Sequence, residues 1–204
     1  MNDGRKAPSA AALDADPIAR FRRWLSRAEQ AGIPDHTAAT LATASVGATP
    51  SARMVLLKEV DASGFIFSTN RNSRKARELK ENPRATLLFH WQPLHRQVRV
   101  EGTVEDADAA TSNRIFAARP RGARISAWAS AQSEIIDSRE TLELCWKETE
   151  ARFPRKVPRP PFWGAYRLSP VTIEFWRGRT DRLHVRERYV RLEAGNWRVE
   201  LLAP

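Results

Sequence analysis

Three clusters in this sequence carry groups able to bind an anion. The first is Phe67-Ser68-Thr69-Asn70-Arg71-Asn72-Ser73-Arg74-Lys75, where an apolar run ends in a polar turn and a helix start. Two hydroxyls, two adjacent cations and the free N–H groups of a helix N-terminus suit a phosphate. A solvated helix start carries the same residues. The second is Arg53-Met54-Val55-Leu56-Leu57-Lys58, an apolar strand bracketed by cations. In a regular strand Arg53 and Lys58 face opposite sides and serve different contacts; the other reading is an edge strand with terminal charges. The third runs from Glu174 to Arg186, where Arg182, His184 and Arg186 share one face if the segment is extended. Three potential cations on one face repel unless an anion lies among them, the alternative being a solvated edge.

The elements that position these clusters follow from periodicity. Residues 1–15 have no pattern and are expected to form a disordered tail before one domain over 16–204. Asp16-Pro17 supplies an N-cap and N1 proline for a helix with Ile18, Phe21, Trp24, Leu25 and Ala28 on one face. Strands are expected over Ala39 to Ala44, Ala52 to Glu59 and Gly64 to Ser68, then a short helix from Arg74 to Lys80. Ala85 to Trp91 is nearly all apolar, and Gln97 to Glu105 alternates, with Val98, Val100 and Val104 inward. Helices are expected from Asp106 to about Ala118 and from Asp137 to about Ala151. Four more strands close the chain: Trp163 to Leu168, Val171 to Trp176, Arg188 to Leu192 and Trp197 to Leu202. Many strands with interspersed short helices predict an α+β barrel.

Composition narrows the function. The 204 residues are 42% hydrophobic and 28% charged, an ordinary globular balance. No apolar run reaches the length of a membrane span and no secretory h-region follows the N-terminal charges, so a cytoplasmic protein is expected. The single cysteine, Cys145, excludes an internal disulfide and reads as a packed thiol. The formal charge of +10 is spread among acids rather than gathered in a basic tract, which favours small phosphates or carboxylates over nucleic acid. No metal site is expected.

The sequence resembles the pyridoxine 5′-phosphate oxidases, flavoproteins with an FMN-binding split β-barrel. The resemblance runs from about Asp16 to Pro204. It rests on Arg53-Met54-Val55-Leu56-Leu57-Lys58, Ser73-Arg74-Lys75, Arg96-Gln97-Val98-Arg99-Val100, Arg119-Pro120-Arg121, Gln132-Ser133, Val157-Pro158-Arg159-Pro160, Ile173-Glu174-Phe175-Trp176 and Arg182-Leu183-His184. It implies FMN held by Arg53, Met54, Val55, Leu56, Leu57 and Lys58, by Ser68 and Thr69, and by Arg74 and Lys75 at the phosphate. Gln97, Gln132, Ser133, Trp176 and Arg186 would complete the site, several of them from a second subunit, so an intertwined homodimer is implied. O2 would reoxidise the flavin, and Arg182 and His184 would contact the substrate.

Departures from the family pattern concern the substrate. Of the residues that grip the substrate phosphate in the family, the lysine and arginine persist as Lys58 and Arg119, whereas the tyrosine and serine positions hold Ile115 and Ala123. Two hydroxyl donors are thereby lost. On this basis the sequence predicts a wider, more apolar pocket for an anionic heterocycle. The reading drawn from it is an oxidase of reduced phenazine carboxylates, like the phenazine-biosynthesis branch, with Lys58, Arg119, Arg182 and His184 on the carboxylates. The alternatives are a pyridoxine/pyridoxamine 5′-phosphate oxidase or a flavin-binding protein without catalysis.

Overall fold

A computed structural model describes residues 15–204; the expected tail lies outside them except for Ala15. Helix α1 (Pro17–Gln30) starts as its sequence dictates, with the Asp16 carboxylate accepting from the Ile18 N–H at 2.8 Å. Its apolar face buries Ile18, Phe21, Trp24 and Ala28. Phe21 meets Phe65 and Phe89 edge-on, with ring centroids at 4.8 and 4.9 Å, so the helix closes one end of the core.

The strands are β1 (Ala38–Ala44), β2 (Pro50–Leu56), β3 (Glu59–Asp61), β4 (Gly64–Asn70), β5 (Arg84–Trp91), β6 (Arg96–Asp106), β7 (Trp163–Arg177), β8 (Val185–Arg191) and β9 (Trp197–Leu202). They form one sheet in the order β2-β1-β5-β6-β7-β4-β3, with β8 on β7 and β9 on β8. Every pairing is antiparallel. The fold is an α+β split β-barrel with short helices at its periphery. The valines of β6 are buried as the alternation requires.

The two strands expected over Trp163 to Leu168 and Val171 to Trp176 are one. Ser169-Pro170 reads as a break, but the chain stays extended, because β7 lies against β6 on both sides of it, from Tyr166 to Arg177. A register shift at Glu101/Gly102 absorbs the bend. A Cβ on Gly102 would stand 2.1 Å from the Ser169 carbonyl oxygen, so only glycine fits. From β7, one half pairs with β4 (Phe65↔Leu168 to Asn70↔Trp163) and the other with β8.

The helices besides α1 are α2 (Arg74–Glu81), α3 (Ala109–Ala117), α4 (Arg121–Ala129) and α5 (Arg139–Arg152). The start expected at Asp106 falls at Asp108, whose carboxylate accepts from Thr111 N–H at 2.7 Å. Similarly Ser138, one residue after Asp137, caps α5. Helix α4 has no counterpart in the expectations: it has one fully buried residue, Ile125, too few to mark a period. On α5 no residue is fully buried, and Cys145 is half-buried rather than packed in the core. No helix among the described residues is long and apolar enough to cross a membrane, and no group of three or more acidic, His or Cys residues is placed to hold a metal ion.

Candidate active site

Strand β4 ends in Ser68, Thr69 and Asn70, and the chain turns directly into α2. The Ser73 hydroxyl, at the N-cap, donates to the Asn70 carbonyl at 2.7 Å and makes no side-chain cap bond. The first turn of α2 thus keeps donors for partners outside the cap, apart from Ala76 N–H, which donates to the Ser73 carbonyl at 3.0 Å. Arg74 N–H uses one, donating to Ser133 Oγ at 3.2 Å. Ser133 holds a φ of 76°, a left-handed backbone that a non-glycine residue adopts at some energetic cost.

Lys75 is buried here with only neutral oxygens around it. Its Nζ donates to Thr69 Oγ1 at 3.1 Å, Ser73 Oγ at 3.3 Å and Gln132 Oε1 at 3.4 Å. Burial, and then the charge of Arg53, lower its pKa to about 8, against a raising contribution from Glu78. Behind it, the Glu78 carboxylate accepts from Ser51 at 2.6 Å and from Thr43, and pairs with Arg53 at 3.3 Å and Arg74 at 2.8 Å. Burial opposes its ionisation, but these hydrogen bonds and the Arg53 charge hold it at about 2. Three cations against one carboxylate leave a net positive cradle, matched to a phosphate dianion. FMN fits: the Lys75 ammonium is buried at the N-terminus of α2 among neutral oxygens only.

The cradle opens into a cavity of about 500 Å³. Of the expected residues, Leu56, Lys58, Ser68, Thr69, Arg119, Ala123 and Gln132 line it. Lys58 and Arg119 form its second positive centre. Desolvation, followed by the Arg119 charge, lowers the Lys58 pKa, and burial lowers that of Arg119. The Arg119 guanidinium lies 5.1 Å over the Trp163 ring, which fixes its plane.

Other expected residues lie elsewhere. Val55 and Leu57 are buried on the core face that alternation turns away from Leu56 and Lys58, whereas Met54 shares the face of Leu56 but is exposed outside the cavity lining. Gln97, Trp176 and Arg186 stand in one register row across β6, β7 and β8, away from this cavity. Arg182, His184 and Arg186 do not share a strand face. Thr180–Arg182 is a 3-10 turn with positive φ at Asp181 and Arg182, and β8 begins only at Val185. His184 lies against Trp176 with ring centroids 4.7 Å apart and planes tilted by 49°, and its Nδ1 accepts from the Arg179 N–H at 3.2 Å. Arg186 pairs with Glu174, which relieves the repulsion that the sequence suggested.

Ile115 does not widen the cavity. It is buried on α3 among Phe116, Trp163, Ala165 and Ile66. Sequence reasoning missed Glu78, although its spacing of four from Arg74 is an ion-pair signal on a helix. It also missed Asn70 and Ser126, which line the cavity.

The family model for pyridoxamine 5′-phosphate oxidase matches residues 25–153, and that for the C-terminal dimerisation region of pyridoxine 5′-phosphate oxidase matches 163–204. The chain belongs to this family. It is an FMN-dependent oxidase that uses O2. It is 50% identical over 205 residues to the pyridoxine/pyridoxamine 5′-phosphate oxidase of Burkholderia thailandensis, covering 100% of this chain and 96% of the relative. The enzyme of the same name from Burkholderia mallei is 49% identical over the same span. Among solved structures, PhzG from Burkholderia lata in complex with tetrahydrophenazine-1-carboxylic acid superposes with a TM-score of 0.91, at 32% identity over 98% of both chains. An FMN-binding protein from Nostoc punctiforme shares the fold, with a TM-score of 0.75 and 17% identity over 94% of this chain and 100% of that one.

These figures overturn the phenazine reading. Identity to the pyridoxine/pyridoxamine 5′-phosphate oxidases is 50% over the whole chain, against 32% to PhzG. The argument from a widened pocket keeps only Ala123, since Ile115 is not among the residues that line the cavity.

Proposed function

We propose that the protein is a pyridoxine/pyridoxamine 5′-phosphate oxidase that forms pyridoxal 5′-phosphate. The observation that carries this reading is a pair of positive centres, one beside the cavity and one lining it. One is the cradle of Arg53, Arg74 and Lys75, which takes the FMN phosphate together with Ser68, Thr69, Gln132 and Ser133. The other is Lys58 with Arg119, which takes the phosphate of the substrate. Among the described residues neither of these two has a carboxylate partner, so a dianion brings the missing charge.

Gln97, Trp176 and Arg186 reach the cofactor only when a second copy of the chain completes the site. This agrees with the dimerisation region matched over 163–204 and gives a homodimer. His184, packed against Trp176, and Arg182 beside it then border the substrate.

FMN held by Ser68, Thr69, Arg74 and Lys75 would supply the redox chemistry, as acceptor of a hydride from the alcohol or amine carbon of the substrate with O2 as the final oxidant. The chain supplies binding and orientation. Lys58 and Arg119 fix one end of the substrate by its phosphate, and the stacked Arg119 keeps that anchor rigid. The apolar wall of Leu56, Ala123 and Trp163 excludes water from the ring.

The test is turnover of pyridoxine 5′-phosphate by the purified FMN-loaded protein, followed by product absorbance and O2 uptake. Lys58→Met should raise KM for the phosphorylated substrate about 10- to 100-fold, from the loss of one charge-assisted contact. No turnover of either phosphorylated vitamer would refute the assignment.

A further inference from the structure

On the other face of the sheet from Gln97 and Trp176, three arginines converge without a carboxylate. Arg96 opens β6 and Arg177 closes β7, and they are directly opposed in the ladder. Opposed residues project their side chains from the same face, where like charges repel. That face is the core face: Arg96 continues the alternation of buried Val98 and Val100, and Arg177 that of buried Phe175. Arg27, in the last turn of α1, overhangs the same rim. The Arg96 guanidinium lies 4.6 Å over the Trp24 ring, one helical turn before Arg27.

The cluster is unbalanced in two independent ways. Arg96 Nη1 and Arg177 Nε are buried with no hydrogen-bond partner, a costly state for charged donors. Burial, and then the charges of Arg27, Arg177 and Arg20, lower the Arg96 pKa, so the cations act on one another. Arg20 is neutralised by Glu187, and on the opposite face Arg99 and Arg186 share Glu174. Among the described residues no carboxylate pairs with Arg27, Arg96 or Arg177, and none of the three lines the cavity.

We propose that Arg27, Arg96 and Arg177 form a second anion site, for a small phosphate-bearing ion, on the sheet face opposite Gln97 and Trp176. Three converging guanidinium forks suit a tetrahedral oxyanion, whereas two forks already saturate a planar carboxylate. Arg27 is exposed and the other two are half-buried, so the site is open to solvent.

The test titrates inorganic phosphate, and separately glycerol 3-phosphate, into the FMN-loaded protein at constant ionic strength, read by calorimetry and by Tm. Wild type should bind phosphate in the cavity and at the arginines. Arg177→Gln should weaken the second class at least ~10-fold, and Arg27→Gln, at an exposed position that keeps the fold intact, should do the same. Lys58→Met should retain it. In phosphate-free chloride, Arg177→Gln should melt no lower than wild type, because it removes repulsion; a merely structural arginine would lower Tm. A response to the free ion alone, or to both probes, tells inorganic phosphate from an ester. The proposal falls if both Gln variants respond to phosphate as wild type does. It also falls if Lys58→Met abolishes all phosphate binding, the result expected when a carboxylate from a second copy fills the site.

Discussion

Replacing Lys75 by methionine should weaken cofactor binding while leaving apoprotein stability nearly unchanged. In the apoprotein the ammonium is buried against neutral oxygens, and its pKa falls from 10.5 to about 8. At 1.36 kcal/mol per unit this is a burden of roughly 3 kcal/mol on the folded state near neutral pH. Methionine keeps the length without the charge. It forfeits the hydrogen bonds to Thr69, Ser73 and Gln132, worth about 0.5–1.5 kcal/mol each, so relief and loss nearly cancel and the apoprotein should stay within about 1.5 kcal/mol of wild type in urea unfolding. FMN loses a charge-assisted partner worth about 1.5–3 kcal/mol, which predicts ~10- to 150-fold weaker binding by flavin-fluorescence titration.

The pH dependence has a definite sign. Between about 8 and 10.5 the unfolded chain holds the Lys75 proton and the folded apoprotein does not, so apoprotein stability rises with pH through that window. FMN binding restores the proton, so affinity should fall as pH rises above about 8. Both dependences should vanish in Lys75→Met. An unchanged FMN affinity in the variant, or an apoprotein destabilised by more than about 2 kcal/mol, would refute the reasoning.

Glu78→Gln should cost about 2–3 kcal/mol in urea unfolding, because Arg53 and Arg74 lose a shared counter-charge. The Glu78 contribution is fully present above its unfolded value of 4.5 and is lost as pH falls toward about 2, so wild type and variant should converge in acid. Glu187→Leu alone should cost about 3–5 kcal/mol by stranding buried Arg20, whereas Arg20→Leu with Glu187→Leu should be near neutral, measured in the same way. Ala123→Ser adds a hydroxyl to the cavity wall beside Lys58 and Arg119. It should lower KM for pyridoxine 5′-phosphate several-fold with little change in kcat, read by steady-state kinetics.

Much of the site was legible because strand and helix periods are local. Ser68, Thr69, Arg74 and Lys75 converge as a strand-to-helix turn demands, and Val98, Val100 and Val104 face the core. What stayed hidden was tertiary. Nothing local shows that Arg53 turns onto Glu78, or that Ile115 packs against Trp163 rather than against a substrate. The Arg182, His184 and Arg186 face was misread because periodicity assumes an extended chain, and positive φ values at Asp181 and Arg182 break it. Strand β7 looked like two strands since Ser169-Pro170 is ordinarily a stop, and only its pairing with β6 overrides that preference.

The double pairing of β7 also sets an order of events during synthesis on the ribosome. Strand β4, which carries Ser68 and Thr69, has on one side only the three-residue β3, and on the other the stretch Trp163–Leu168. Even Arg71 N–H waits for the Phe162 carbonyl, at 2.6 Å. The turn that cradles the phosphate is therefore translated early but stays unsupported on its main edge until the chain has grown past Leu168 and cleared the exit tunnel. Closing a loop of this length is slow relative to local structure. Flavin capture is consequently a late event, and a nascent chain stalled before Trp163 should emerge without cofactor.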